Sequence, residues 1–182
     1  MKILVTGASG FVGSKLVKEL SLNNDVNAIY RTEKQKKTNL TPFLVSNISS
    51  KSNWSECLVN AVVVIHCAAR VHVMNDSSSE PLEEFREINT YGTLNLAKQA
   101  ADAGVKRFVF ISSIKVNGES TELGVPFKAD DNYIPVDPYG LSKYEAEIGL
   151  RKIAEETGME IVIIRPPLVY GEGVKANFAS LM

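Results

Sequence analysis

The chain has 182 residues, 45% of them hydrophobic, and a formal net charge of −1. That is the length of one domain with a substantial core, and 20 basic against 21 acidic residues leave no electrostatic footing for nucleic acid or a strongly acidic partner. The first apolar run is too short for a signal peptide or a membrane span. Cys57 and Cys67 make no disulfide framework, and no cysteine–histidine cluster has zinc spacing. A reducing cytoplasm is the expected setting, with both thiols packed as small apolar groups.

Ile3, Leu4 and Val5 form a short strand-like run, and Gly7, Gly10 and Gly13 follow at steps of three. Val12, Leu16, Val17 and Leu20 then share one face at helical spacing. The order is strand, glycine turn, helix. Glycines there permit a tight turn, let a pyrophosphate approach the backbone and let the helix pack closely on the strand, while the helix start offers free N–H groups to a diphosphate. The spacing Gly-x-x-Gly-x-x-Gly differs from the commoner Gly-x-Gly-x-x-Gly of dinucleotide sites.

Residues 26–30 read as a second strand ending at Arg31, where a dinucleotide fold faces the adenine ribose. An acid there holds the free 2′-hydroxyl of NAD, and an arginine can pair with the 2′-phosphate of NADP. Arg31, with Lys34, Lys36 and Lys37, leans towards NADP, and the same residues also read as a solvated basic loop. A third strand is expected over 41–45, with Asn47 and Ile48 at its end, then a short helix over 52–59 with Ser52 as its N-cap. The β-branched run 61–65 suits a central strand covered on both faces. His66-Cys-Ala-Ala69 follows, small enough at Cys67, Ala68 and Ala69 to admit a cofactor near the backbone. His66 and His72 are lone histidines suited to core or supporting roles. After a polar loop over 75–79, a helix is expected from Pro81 to about Asp102, with Phe85, Ile88 and Leu96 buried and Gly104 as C-cap. The fifth strand, 107–113, ends in serines. A long loop rich in glycine, aspartate and proline occupies 116–138, of a length usually tied to function. A helix over about 139–156 and a sixth strand over 159–164 complete the alternation, which predicts a parallel sheet with helices on both faces and a ligand site at the strands' carboxyl ends.

Tyr139 and Lys143 lie at i and i+4 on one helix face, and Ser113 ends a neighbouring strand. A tyrosine with a pKa of ~10 is a poor base at neutral pH, so a lysine cation one turn away is expected to favour the phenolate. Ser113 would orient a substrate oxygen, and the phenol would take a proton from an alcohol as hydride leaves for a nicotinamide, or the reverse.

The segments Thr6-Gly-Ala-Ser-Gly-Phe-Val-Gly13, His66-Cys-Ala-Ala69, Asn89-Thr-Tyr-Gly-Thr93, Phe108-Val-Phe-Ile-Ser-Ser113, Tyr139-Gly-Leu-Ser-Lys143 and Arg165-Pro-Pro-Leu-Val-Tyr-Gly171 span nearly the whole chain. In that order they resemble the extended short-chain dehydrogenase/reductase family, in its nucleotide-sugar epimerase, dehydratase and 4-ketoreductase branch. The resemblance implies a Rossmann-like doubly wound α/β domain over 1–171 that binds NAD or NADP. It implies Ser113, Tyr139 and Lys143 as the catalytic set, with Tyr139 and Lys143 also touching the cofactor. Gly7, Gly10, Phe11, Val12 and Gly13 would meet the pyrophosphate, Arg31 the adenosine ribose, and Asn47 and Ile48 the adenine. Cys67, Ala68, Ala69 and Pro166 would line the nicotinamide half, and Asn89 would support the cofactor side or Lys143.

Several positions depart from the family's pattern. Asn47 stands where an aspartate is common, and Arg31 where NAD-holding members carry an acid. The dehydratase branch has Thr-Asp-Glu where this chain has Ser113, Ile114 and Lys115, so the acid and base that a 4,6-elimination requires are missing. What remains is hydride transfer at sugar C4 on a UDP-linked sugar, by a 4-epimerase or a 4-keto reductase. A non-catalytic cofactor-binding or sensing module of the same fold is the alternative. Family members continue into a smaller sugar-gripping domain, so residues 172–182 read as the start of a largely absent substrate-binding region. A homodimer through a helical face is common in such proteins, and no membrane or nucleic-acid partner is expected.

Overall fold

The computed structural model describes residues 1–32, 39–71, 80–131, 133–172 and 174. Lys34, Lys36, Lys37, His72, the loop 75–79 and nearly all of 172–182 lie outside the described residues. Six strands, β1 (Lys2–Thr6), β2 (Asp25–Tyr30), β3 (Leu40–Leu44), β4 (Val63–His66), β5 (Arg107–Ile111) and β6 (Glu160–Ile164), form one parallel sheet in the order β3-β2-β1-β4-β5-β6. The chain winds outward from β1 to β3, returns to the other side of β1 for β4, and winds outward again. That reversal between β1 and β4 opens a crevice at their carboxyl ends, as doubly wound sheets do.

The alternating strand pattern divides the core in two. Ile3, Val5, Val26 and Ala28 face α1 (Phe11–Leu20), which buries Val17 against them. Leu4, Ile29, Val64, Phe108 and Phe110 face the opposite way. There they pack with Trp54, with Cys57 and Leu58 of α2 (Ser55–Leu58), with Leu96, Ala97 and Ala100 of α4 (Thr93–Asp102), and with Ala146, Leu150 and Ile153 of α5 (Pro138–Thr157). Helices therefore cover both faces, as the alternation predicts. On the α1 side, among the described residues, Val162 and Ile164 of β6 are 39% and 45% exposed.

Three local expectations change. The helix expected from Ser52 begins only at Ser55, with Trp54 as N-cap. Ser52 instead closes the turn before it, accepting from Ser49 N–H at 2.9 Å and donating to the Asn47 carbonyl at 3.0 Å, so its hydroxyl is not available as a cap. The helix expected over 81–102 is unbroken but not uniform. Its first turn is α3 (Pro81–Phe85), and a π-helical stretch, Arg86–Gly92, separates it from α4. The fifth strand ends at Ile111, two residues early: Ser112 N–H still reaches the Ile164 carbonyl at 2.7 Å, and Ser113 then caps a short 3-10 turn over Ile114–Val116. Gly104 does end α4, at φ +81°, with Val105 N–H reaching back to the Ala100 carbonyl and Gly104 N–H to that of Ala101. At the head of α5, Asp137 accepts from Gly140 N–H at 2.9 Å, and Gly158 at φ +73° closes the far end.

The tightest packing is at the glycine turn. A Cβ on Gly13 would lie 2.2 Å from the Gly7 carbonyl oxygen, which is backbone and cannot swing aside. Gly7 itself has φ +67°, and a Cβ there would lie 2.8 Å from the Ala68 nitrogen. Gly13→Ala is expected to lower stability by about 1–3 kcal/mol through overpacking, read from urea unfolding. An unchanged midpoint would show that α1 has room to lift away from β1.

Candidate active site

The crevice at the switch point is a cleft of about 430 Å³. Gly7 and Gly10 form its floor, Arg31, Asn47 and Ile48 its outer end, and Cys67, Ala68 and Ala69 its inner wall. These are eight of the residues named from sequence. Gly10 N–H donates to the Gly7 carbonyl at 2.8 Å, and Gly10 caps α1 without any side-chain hydrogen bond. The first turn of α1, Phe11 and Val12, thus presents its amide end with no side chain in competition, which suits a diphosphate. Gly13 sits behind the floor against Gly7, and Phe11 packs near Gly171. Ser9, Ile29, Tyr30, Val45, Arg70 and Val71 also line the cleft and were not singled out from sequence, and Ile88, expected on its helix's buried side, lines it while only partly buried. The strand-end positions of Tyr30 and Val45, paired across the second and third strands, were the available signal.

His66 is buried at the seam. Its Nδ1 meets Thr6 Oγ1 at 2.7 Å and its Nε2 meets Thr93 Oγ1 at 3.0 Å. Ala68 N–H donates to the same Thr6 oxygen at 3.2 Å. Both threonine hydroxyls can donate or accept, so the pair satisfies either neutral tautomer of the ring. Burial, reinforced by the Lys143 charge, pushes its pKa down to about 3, so it is a neutral core histidine that holds β4 to β1. Asn89 lies on the π-helical stretch, wholly buried. Its amide accepts from Arg70 N–H at 2.8 Å and donates to the Arg70 carbonyl at 3.0 Å and to Ser142 Oγ at 3.0 Å. It therefore fixes the wall of the cleft to α5 by direct bonds, and Thr90 adds a bond to the Ser142 carbonyl.

Ser113, Tyr139 and Lys143 come together beside the inner wall. Lys143 is 1% exposed, its Nζ donates to the Ile111 carbonyl at 2.8 Å, and it lies 4.2 Å from the centre of the Phe110 ring. Burial lowers its pKa to about 7, opposed by the nearby Cys67 and Glu147. The Cys67 thiol is pushed up to about 11 by burial. The Tyr139 phenol is raised above its ordinary value by burial and by Asp137, against a hydrogen bond from Ser113 and the positive charge of Lys115. This corrects the sequence-based expectation of a lowered phenol. Desolvation outweighs the lysines, and the cation that acts on Tyr139 is Lys115, held at 2.7 Å by Glu119. Pro166, just after β6, accepts from Ile114 N–H at 3.1 Å and so braces the segment that carries Ser113. Among the described residues no histidine, cysteine and carboxylate group together as a metal site, and no helix is long and apolar enough to cross a membrane.

A doubly wound sheet, a glycine turn under its switch point and a serine–tyrosine–lysine group behind the cleft's Cys67 wall, though none of the three lines the cleft itself, define a dinucleotide-dependent class of protein. The chain belongs to the NAD dependent epimerase/dehydratase family, whose profile it matches over residues 3–181. It is 57% identical over 182 residues to the UDP-glucose 4-epimerase of Vibrio cholerae, covering 99% of this chain and 55% of that protein. Among solved structures it is similar to MoeE5 in complex with UDP-glucuronic acid and NAD, with a TM-score of 0.83 and 32% identity over 100% of this chain and 60% of that one. It is also similar to the UDP-glucuronic acid 4-epimerase from Bacillus cereus in complex with NAD, with a TM-score of 0.80 and 27% identity over 94% and 57%. The chain spans about half the length of the curated relatives it matches.

Lys143 gives a test of the site's electrostatics. Its pKa is about 7 folded and ~10.4 unfolded, so its contribution to stability is complete above the unfolded value and is lost as pH falls towards 7. Between pH 7 and pH 9 the wild-type protein is expected to gain about 2–3 kcal/mol relative to Lys143→Met, at 1.36 kcal/mol per pH unit. Parallel stability curves for the two proteins in urea titrations would refute the depressed value.

Proposed function

We propose that this chain is the cofactor-holding and catalytic half of an NAD-dependent UDP-sugar 4-epimerase, working in the cytoplasm. The observation that carries the reading is the buried Tyr139 phenol beside Ser113, on the helix whose Lys143 lies behind the Cys67 wall of the cleft that the glycine turn builds. The glycine floor, the open first turn of α1 and the small wall at Ala68 and Ala69 fit a dinucleotide laid across the switch point. When bound, NAD supplies a hydride acceptor at sugar C4, returns that hydride, and brings a positive ring that favours the phenolate.

The residues divide the remaining work. Ser113 hydrogen-bonds the C4 oxygen and orients it towards Tyr139. Tyr139 takes the hydroxyl proton as the C4–H bond breaks and gives it back when the bond re-forms on the other face. Lys115 and Ser113 oppose the burial that holds the phenol protonated. Lys143, with a pKa of about 7, holds or releases a proton at Nζ behind the cleft wall and sets the field there. Gly7, Gly10, Phe11, Val12 and Gly13 serve the pyrophosphate, Arg31, Asn47 and Ile48 the adenosine end, and Cys67, Ala68, Ala69, Asn89 and Pro166 the nicotinamide end. Ile114 and Lys115 in place of an aspartate and a glutamate leave 4,6-elimination without its acid and base pair. Two of the relatives above are 4-epimerases, which favours epimerisation over reduction.

The cofactor preference turns on Arg31, which is exposed at the outer end of the cleft. Its guanidinium is suited to a 2′-phosphate, so NADP is expected to bind alongside NAD. In Arg31→Asp, NADP affinity is expected to fall at least about tenfold, the scale of a lost charge-assisted hydrogen bond, with NAD affinity less affected. Equal losses in calorimetry would remove Arg31 from cofactor choice.

Tyr139→Phe tests the chemistry. In the full-length protein it is expected to cut conversion of UDP-glucose to UDP-galactose by about 10²–10⁴-fold, the usual worth of an acid–base group, while NAD still binds. Full-length wild-type protein that binds NAD but converts no UDP-sugar would favour the sensing module instead.

A further inference from the structure

Lys143 is not the only ionisable side chain buried on α5. Glu147 lies one helical turn further on, is 2% exposed, and points at the end of β5. Its carboxylate accepts from Ser112 Oγ at 2.5 Å, from Arg165 Nε at 3.0 Å and from Arg165 Nη2 at 2.6 Å. The same guanidinium gives Nη1 to Asn117 Oδ1 at 3.0 Å and to the Ala129 carbonyl at 3.3 Å. Asn117 passes the connection on, donating to the Lys128 carbonyl at 2.6 Å. One arginine after β6 thus joins α5, the residue beside Ser113 and both ends of the 117–131 loop.

Stability alone is a poor reason for this arrangement, because a buried ion pair is often no better than apolar residues of the same volume. What it fixes is geometry. The backbone around Ser113 is pinned on both sides, Ser112 N–H to the Ile164 carbonyl at 2.7 Å and Ile114 N–H to the Pro166 carbonyl at 3.1 Å. From α5, Lys143 holds the Ile111 carbonyl and Glu147 holds the Ser112 hydroxyl, two consecutive grips on the segment that ends in Ser113. Tyr139 rides on that same helix.

We infer that Glu147 and Arg165 are a positioning pair for the proposed reaction: Glu147 sets the Ser112–Ser113 segment against Tyr139, and Arg165 locks the 117–131 loop beside it. This inference rests on the epimerase reading for its effect on turnover, but not for its effect on the segment itself.

The test compares Glu147→Gln, Arg165→Lys and Ser113→Ala, singly and with Glu147→Gln and Ser113→Ala combined, in the NAD-bound protein with UDP-glucose. Glu147→Gln is expected to leave NAD affinity within about twofold and to cut kcat by about tenfold to a hundredfold, as small misplacements of reacting groups do. In the Ser113→Ala background the same change is expected to cost almost nothing more, because its effect runs through Ser113. Equal losses in both backgrounds, or a wild-type kcat, would overturn the inference. Amide exchange over 112–114 and 117–131 gives a second reading that needs no turnover. Both Glu147→Gln and Arg165→Lys are expected to speed it, and unchanged protection in both overturns the inference even if the full-length wild-type protein turns over no UDP-sugar, a result that would separately sink the epimerase reading. If Glu147→Gln fails to fold, the apolar pair Glu147→Met with Arg165→Leu keeps the core filled, and wild-type kcat in that protein overturns the inference equally.

Discussion

How closely α1 approaches β1 governs the rest of the structure. With a hydrogen atom in place of a methyl group at Gly13, the first turn of the helix rests on the Gly7 carbonyl. That contact sets the level of the cleft floor. It also aims the helix's open amide end across the seam between β1 and β4, where the sheet's winding reverses and leaves a crevice. Across the seam, Gly7 approaches the Ala68 backbone so tightly that it has no room for a side chain. The Thr6 hydroxyl bonds at once to Ala68 and His66 and keeps the two strand ends in step. A phosphate-binding floor and a narrow inner wall are thus two results of one packing constraint.

The second organising element is α5. Tyr139, Lys143 and Glu147 recur every four residues and form a polar stripe on a helix that also buries Ser142 towards Asn89 and packs Ala146, Leu150 and Ile153 into the core. Each member of the stripe meets the end of β5 or the segment just beyond it. Tyr139 lies beside Ser113, Lys143 takes the Ile111 carbonyl and Glu147 the Ser112 hydroxyl. The helix is a ruler laid against the strand end, and the chemistry is placed by two registered bonds rather than by a loop.

Much of this was legible in the chain itself. The glycine spacing, the β-branched central strand and the Tyr139–Lys143 pair each impose a local geometry that tertiary structure has no reason to override, and the cleft gathers Gly7, Gly10, Arg31, Asn47, Ile48 and the Cys67–Ala69 wall as the strand ends required. What escaped were features that depend on competition between partners. Ser52 looked like a cap, but Ser49 and Asn47 claimed its hydroxyl first. The phenol looked lowered, because a lysine four residues away is visible in sequence and the cost of burial is not. Glu147 continued the Tyr139–Lys143 spacing and could have been found by extending it one more turn. Arg165 could not, since its partners lie 18 to 48 positions away.

The π-helical stretch between α3 and α4 has a consequence for how this fold tolerates change. A π turn holds about one residue more than an α turn, so it resets the angular phase of everything after it by roughly 100°. Ahead of the reset, Phe85 meets the Tyr139 ring. Within it, Asn89 and Thr90 turn inward to Ser142, and beyond it Leu96, Ala97 and Ala100 meet the sheet. One continuous rod serves two partners that a uniform α-helix could not face together. Loss of a single residue between Arg86 and Gly92 would therefore leave a sounder helix and a poorer protein, with either the cleft wall or the core turned to solvent.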